Sequence, residues 1–95
     1  MEEELYDQVT YCLLIRKDLD LSPNFYTYLM KIGALTLDER IYIREALKEC
    51  NERKKRRLEG RLLGNLLYKK GNLGYIGFTQ ALYVTSQHLV LKSIS

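Results

Sequence analysis

His88, Cys12 and Cys50 are the side chains from which nucleophilic or metal chemistry would have to be built. His88 is the sole histidine, and no signature places it beside either cysteine, so it reads as a polar residue on a terminal helix, not a base or ligand. The cysteines lack metal-ligand spacing and fall at apolar positions of helical patterns, which predicts buried free thiols and a reducing compartment. No stretch resembles a phosphate-binding loop. The chain is therefore expected to be neither an enzyme nor a cofactor carrier.

The densest charge is the run Arg53, Lys54, Lys55, Arg56 and Arg57, extended by Arg61. On a helix Arg53, Arg57 and Arg61 fall at i, i+4 and i+8, one basic stripe beside the apolar Leu58 and Leu62. Arg16 and Lys17 add to it from the end of the first helix. Such a stripe can be a solvated surface, a phosphate contact or a protein contact. Nucleic acid is disfavoured, because no zinc-finger spacing and no RNA-binding aromatic motif is present, and Tyr42, Tyr68 and Tyr75 are scattered among apolar positions. Acidic residues of the same chain, Asp18 and Asp20 after the first helix and Asp38 and Glu39 at the start of the third, could supply the opposite half of a head-to-tail contact.

These residues need a scaffold. With 95 residues, 46% hydrophobic and 28% charged, the sequence fits one globular domain over 1–95. Net charge is a mild +3 with a pI near 8.9. No apolar run approaches the roughly 18–20 residues of a membrane span, and the acidic Glu2 to Glu4 is unlike a secretory leader, so a cytoplasmic protein away from membranes is expected. The Gly60 to Gly64 spacing matches a membrane-helix motif, but its neighbours are charged and the match is discarded.

Leu5, Val9, Cys12 and Leu13 recur on one helical face, predicting a helix to about Lys17. Ser22 and Pro23 read as N-cap and first-turn proline of a second, with Phe25, Leu29 and Ile32 inward and Gly33 as its stop. Thr36 and Glu39 form a capping box for a third, carrying Ile43, Leu47 and Cys50. Propensity alone permits one rod from Ile41 to Lys70; compactness favours a break, with Asn51 capping a fourth helix that carries Leu58, Leu62, Leu63, Leu66 and Leu67 and stops at Gly71. Gly60 and Gly64 within it point to close backbone packing. Asn72 is expected to cap a fifth helix with Tyr75, Phe78 and Leu82, and Ser86 a sixth with Val90, Leu91 and Ile94. Short amphipathic helices cannot bury their stripes alone, so six must share one core.

The order of these features resembles the caspase-recruitment domain (CARD) branch of the death-fold superfamily, well from Leu35 onward and by pattern alone before it. Leu35, Thr36, Asp38 and Ile41 resemble the family's third-helix start; Leu62, Leu63 and Leu66 its fourth-helix core; Gly71, Phe78, Ala81 and Leu82 its turn and fifth helix; Gln87 and Leu89 the start of its sixth. The Gly74, Tyr75, Phe78 spacing is similar to CARDs of coiled-coil scaffold proteins, and Thr85 to Leu89 to those of initiator caspases and their adaptors. The run from Ile41 to Arg57 is longer and more helical than is usual there.

The resemblance implies an all-α, six-helix antiparallel Greek-key bundle that binds other CARDs in apoptotic or inflammatory signalling. It implies a basic partner-binding face of Arg16, Lys17, Arg53, Arg56, Arg57 and Arg61, and an acidic one of Asp18, Asp20, Asp38 and Glu39. The partners would be CARDs of a caspase, adaptor or scaffold, with self-association also open. As a stand-alone chain it would resemble the CARD-only regulators of some hosts and large DNA viruses; as part of a larger protein it would be that protein's recruitment module. A death-effector-type domain and a helical nucleic-acid binder are the alternatives.

Overall fold

The computed structural model describes residues 1–94 and turns the apolar periodicities into six α-helices: α1 (Glu3–Leu14), α2 (Pro23–Ile32), α3 (Leu37–Lys48), α4 (Glu52–Lys69), α5 (Asn72–Val84) and α6 (His88–Lys92). Local chemistry sets several boundaries as the sequence predicts. Ser22 accepts from the Phe25 N–H, Pro23 occupies the first helical position, and Gly33 takes φ 87° to end α2. Thr36 and Glu39 cap α3 reciprocally. Asn51 accepts from the Arg53 N–H, so the long helical run does break there.

Other boundaries differ. α1 stops at Leu14, three residues short of the expected Lys17: the Ile15 and Arg16 N–H groups both close onto the Tyr11 carbonyl, and the chain turns so that Leu19 is buried. Arg16 and Lys17 therefore lie in the following loop. α3 ends at Lys48, which puts Cys50 in the junction with α4, half-buried, instead of on a core stripe. Gly71 (φ 62°), not Asn72, is the N-cap of α5, since a reversal this tight needs a left-handed residue whose carbonyl receives the Gly74 and Tyr75 N–H groups. Ser86 also has positive φ (60°) and makes no cap; Gln87 holds that position, and α6 is a short helix ending before Ile94.

The core draws on every helix: Val9, Cys12 and Leu13 from α1, Phe25, Tyr26 and Leu29 from α2, Ile43 from α3, Leu63 and Leu67 from α4, Phe78, Ala81 and Leu82 from α5, and Val90 from α6. Phe25 meets Phe78 edge to face with centroids 5.8 Å apart. Small residues bring the backbones together. α4 approaches α1 at Gly60, where a Cβ would sit 2.7 Å from the Leu13 carbonyl oxygen, and α5 approaches Ala34, just after α2, at Gly77. α4 is thus held at the centre of one side, against α1, α3 and α5. Its remaining face is left to solvent, and it carries the arginines.

Candidate protein-interaction surface

Arg53, Arg57 and Arg61 all lie exposed along α4, and none makes an ion pair among the described residues. Arg57 and Arg61, with Lys54, border a groove of about 340 Å³ that Cys50 and Leu58 complete. Lys17 is exposed in its loop and makes no ion pair among the described residues. The other two predicted basic residues have different neighbours. Arg16 grips Asp18 through two hydrogen bonds, Nε to Oδ1 at 2.8 Å and Nη2 to Oδ2 at 2.5 Å. Arg56 turns inward and donates from Nη1 to the Leu13 carbonyl at 2.7 Å.

The acidic residues occupy two places. Asp18 and Asp20 border a cleft of about 380 Å³ between the α1–α2 loop and α6, with Ser86, Gln87, His88, Leu89 and Val90 on its other side. Gln87 fixes the loop through both backbone groups of one residue: its Oε1 accepts from the Asp20 N–H at 2.7 Å, and its Nε2 donates to the Asp20 carbonyl at 2.8 Å. The Asp20 carboxylate is left exposed, whereas the hydrogen bond from Arg16 holds that of Asp18 below its ordinary pKa. Asp38 is exposed in the first turn of α3. Glu39, beside it, is committed to the Thr36 cap and to Lys70, whose Nζ lies 2.6 Å away. Partial burial pushes the Glu39 carboxyl up, but Lys70 and the Thr36 N–H outweigh it and hold the pKa low. No hydrogen bond or ion pair joins the two acidic sites among the described residues.

His88 shares its cleft with Ser86 and two aspartates, the residue types of a hydrolytic triad. No hydrogen bond links them among the described residues, and His88 instead meets the Tyr83 ring edge-on at 6.0 Å. Cys12 is buried beneath α6, near the Ser93 hydroxyl at 3.6 Å, and burial pushes its thiol pKa up. Among the described residues no group of three or more His, Cys, Asp or Glu could hold a metal ion, and no helix is long and apolar enough to cross a membrane.

Two features were missed in the sequence. The first is a second basic groove on the other flank of α4, where Arg40, Arg44 and Lys48 of α3 face Lys55 and Glu59. Glu59 there accepts from the Tyr26 hydroxyl at 2.5 Å, and the Arg40 guanidinium lies 3.8 Å from the Tyr26 ring centroid. Burial, then the Glu59 charge, pushes the Tyr26 phenol far above its ordinary pKa. The i, i+4, i+8 spacing of Arg40, Arg44 and Lys48 was the available signal, masked by Glu45 within the run and by Asp38, Glu39 and Glu49 at its ends. The second is an apolar outer surface on α5 and α6: Leu73, Ile76, Tyr83, Val84 and Leu89 are exposed, Leu89 by 70%. Its signal was the absence of any Asp, Glu, Lys or Arg from Gly71 to Leu91.

The described residues thus define an all-helical domain with unpaired cations on one exposed helix face. No family model, no curated protein and no solved structure matches the chain.

Proposed function

We propose that this is a CARD-like domain with the Greek-key death fold, acting in the cytoplasm through CARD–CARD contacts in apoptotic or inflammatory signalling. The observation that carries the reading is the exposed, unpaired stripe of Arg53, Arg57 and Arg61. Several other cations of the chain have intramolecular work: Arg16 holds Asp18, Arg56 holds the end of α1, and Lys70 holds the α3 cap. Charges left unsatisfied on one rigid helix choose partners and steer encounter.

Two further observations support it. Six helices follow one another in the order that apolar periodicity and capping predict, including the break at Asn51, and a six-helix chain is what a CARD-like domain requires. Exposed Asp20 and Asp38 lie on other elements, so the chain carries both signs needed for an open head-to-tail contact. As a regulator, the domain would occupy a partner CARD's acidic surface and block or bias its assembly. As the recruitment module of a larger protein, the same face would bring in a caspase or scaffold.

Light scattering across protein concentration, with electron microscopy of the same samples, tests the mode of action. Filaments that dissolve on Arg57→Glu identify a polymerising module; a monomer at every concentration identifies a capping or decoy role, provided that it binds one member of a panel of purified CARDs. A monomer that binds no death-fold domain overturns the proposal, and one that binds death-effector domains alone reassigns the subclass.

A further inference from the structure

The other five helices carry charge and α5 carries none: from Gly71 to Leu91 there is no Asp, Glu, Lys or Arg, in a chain that is 28% charged. Its inner face is given over to the core through Gly74, Gly77, Phe78, Ala81 and Leu82. Its outer face is apolar as well. Leu73, Ile76, Gln80, Tyr83 and Val84 fall at i, i+3, i+7, i+10 and i+11, an outward stripe about 100° wide, and all five are exposed. Tyr83 meets His88 edge-on, which carries the patch onto α6 and its exposed Leu89. A helix that is apolar on every side is normally buried on every side. At 13 residues α5 is too short for the roughly 20 of a membrane span, so a bilayer cannot bury its outer face by that route.

We propose that the occupant of this face is a second copy of the chain, packed α5 against α5 about a two-fold axis that passes near Gln80. Three observations select it. The first is charge. An apolar stripe matches only a surface without charges, since each charge buried there unpaired carries a large desolvation cost, and α5 is itself such a surface. The second is area. Leu73, Ile76, Tyr83, Val84 and Leu89 are each 40–70% exposed, on the order of 500 Å² per copy. Two such faces closing on each other remove about 1,000 Å², the threshold of a specific interface, before the polar rim is counted. The third is Gln80, the one amide in the stripe. A two-fold contact sets a residue against its own copy, and a primary amide both donates and accepts, so two Gln80 side chains satisfy each other at the axis. The antiparallel register this fixes sets Ile76 of each copy against Val84 of the other. The contact uses no residue of the α4 stripe, so it stands apart from the CARD assignment.

Analytical ultracentrifugation of the full chain alone, from low to high micromolar concentration, tests the proposal. The expected result is a reversible monomer–dimer equilibrium with a micromolar dissociation constant, the weak end for contacts of this size. High salt should leave the dimer intact, because no ion pair holds it. Ile76→Glu should weaken it about a hundredfold or more by burying an unpaired charge, with the helical circular dichroism signal unchanged because Ile76 lies on the surface. The axis has a test of its own. The Gln80→Glu and Gln80→Lys chains should each be monomeric, since like charges would meet, and an equimolar mixture of the two should recover the dimer. Arg57→Glu should dimerise as the wild type does, whereas head-to-tail filaments would dissolve. CARD binding can then be read in the monomeric Ile76→Glu chain, so the two proposals fail separately. A wild-type chain that stays monomeric at every concentration would overturn this one, whether or not it binds vesicles of phosphatidylcholine and phosphatidylserine. So would a dimer indifferent to Ile76→Glu, or a mixture of the Gln80 variants that stays monomeric.

Discussion

The Arg56 guanidinium donates to the Leu13 carbonyl across the seam between α4 and α1, while the side chain of Arg57, its neighbour in sequence, stays in solvent. Leu13 lies in the last turn of α1, where carbonyls lack an intrahelical donor, so Arg56 completes the helix end from outside. The same cation offsets the negative end of the α1 dipole. One basic run thus contains a structural strap and an open contact residue side by side.

Truncating the strap should destabilise the fold, and truncating its neighbour should not. Arg56→Ala is expected to lower unfolding free energy by roughly 1.5–3 kcal/mol, the usual worth of a hydrogen bond from a charged group. Arg57→Ala should stay within about 0.5 kcal/mol. Urea denaturation of both variants makes the comparison, and equal losses would show that the Leu13 contact contributes nothing special.

The two glycines inside α4 should respond in opposite directions. A Cβ at Gly60 would lie 2.7 Å from the Leu13 carbonyl oxygen, an approach that backbone cannot relieve without opening the α1–α4 seam. A Cβ at Gly64 would meet only the Leu13 Cδ1 at 3.4 Å, an ordinary contact. Gly64→Ala should therefore raise stability by up to about 1 kcal/mol through helix propensity. Gly60→Ala should lower it by about 1–3 kcal/mol, the scale of overpacking. Thermal melts of the two variants read the sign directly.

Helix count, the α2 and α3 caps and the α3–α4 break were legible in the sequence because each depends on a few neighbouring residues. Ser22, Thr36 and Asn51 need only their own first turns to act as caps. The C-terminal end of α1 and the start of α5 were misplaced because they turn on backbone conformation, the Arg16 N–H closing onto the Tyr11 carbonyl and Gly71 at positive φ. The start of α6 was misplaced because it is settled by a distant contact: Gln87 is fixed by Asp20, 67 residues away in sequence. The same holds for the charges. Spacing placed Arg53, Arg57 and Arg61 on one stripe, but it could not tell that Arg56 reaches Leu13 or that Lys70 reaches Glu39, contacts that exist only once α1, α3 and α4 have docked.

Glu39 should set part of the acid sensitivity of the fold. Its folded pKa lies below the unfolded value of about 4.3, so its stabilisation is present above that pH and is lost as pH falls through the folded value. Glu39→Gln retains an acceptor for the Thr36 N–H but removes the charge that Lys70 meets, and should flatten the stability profile below about pH 4.3. Glu39→Ala also removes the acceptor of the Thr36 N–H, leaving only the Thr36 half of the capping box, and should cost roughly 0.5–1.5 kcal/mol at neutral pH. Urea midpoints measured from neutral to acid pH test this, and an unchanged slope in Glu39→Gln would remove Glu39 from the account.

Reversing charge on opposite flanks of α4 separates a protein partner from a polyanion. Arg57 and Arg61 border the Cys50 groove, whereas Arg44 borders the groove between α3 and α4. A protein partner docks on one face in one register, so charge matters by position. The Arg57→Glu, Arg61→Glu chain should lose partner binding by about a hundredfold or more, since facing like charges can cost several kcal/mol. Arg44→Glu should bind within about threefold of the wild type, in line with a charge outside the contact. Nucleic acid responds instead to how many phosphates are neutralised, so removing a cation from either flank would weaken it and lower its salt dependence in step. Titrations of the three chains against purified CARDs and against duplex DNA, across salt, distinguish these outcomes. Loss confined to the Arg57 and Arg61 flank means recognition by a shaped acidic surface; equal loss from both flanks means the positive charge of α3 and α4 acts as a whole, and the CARD reading falls.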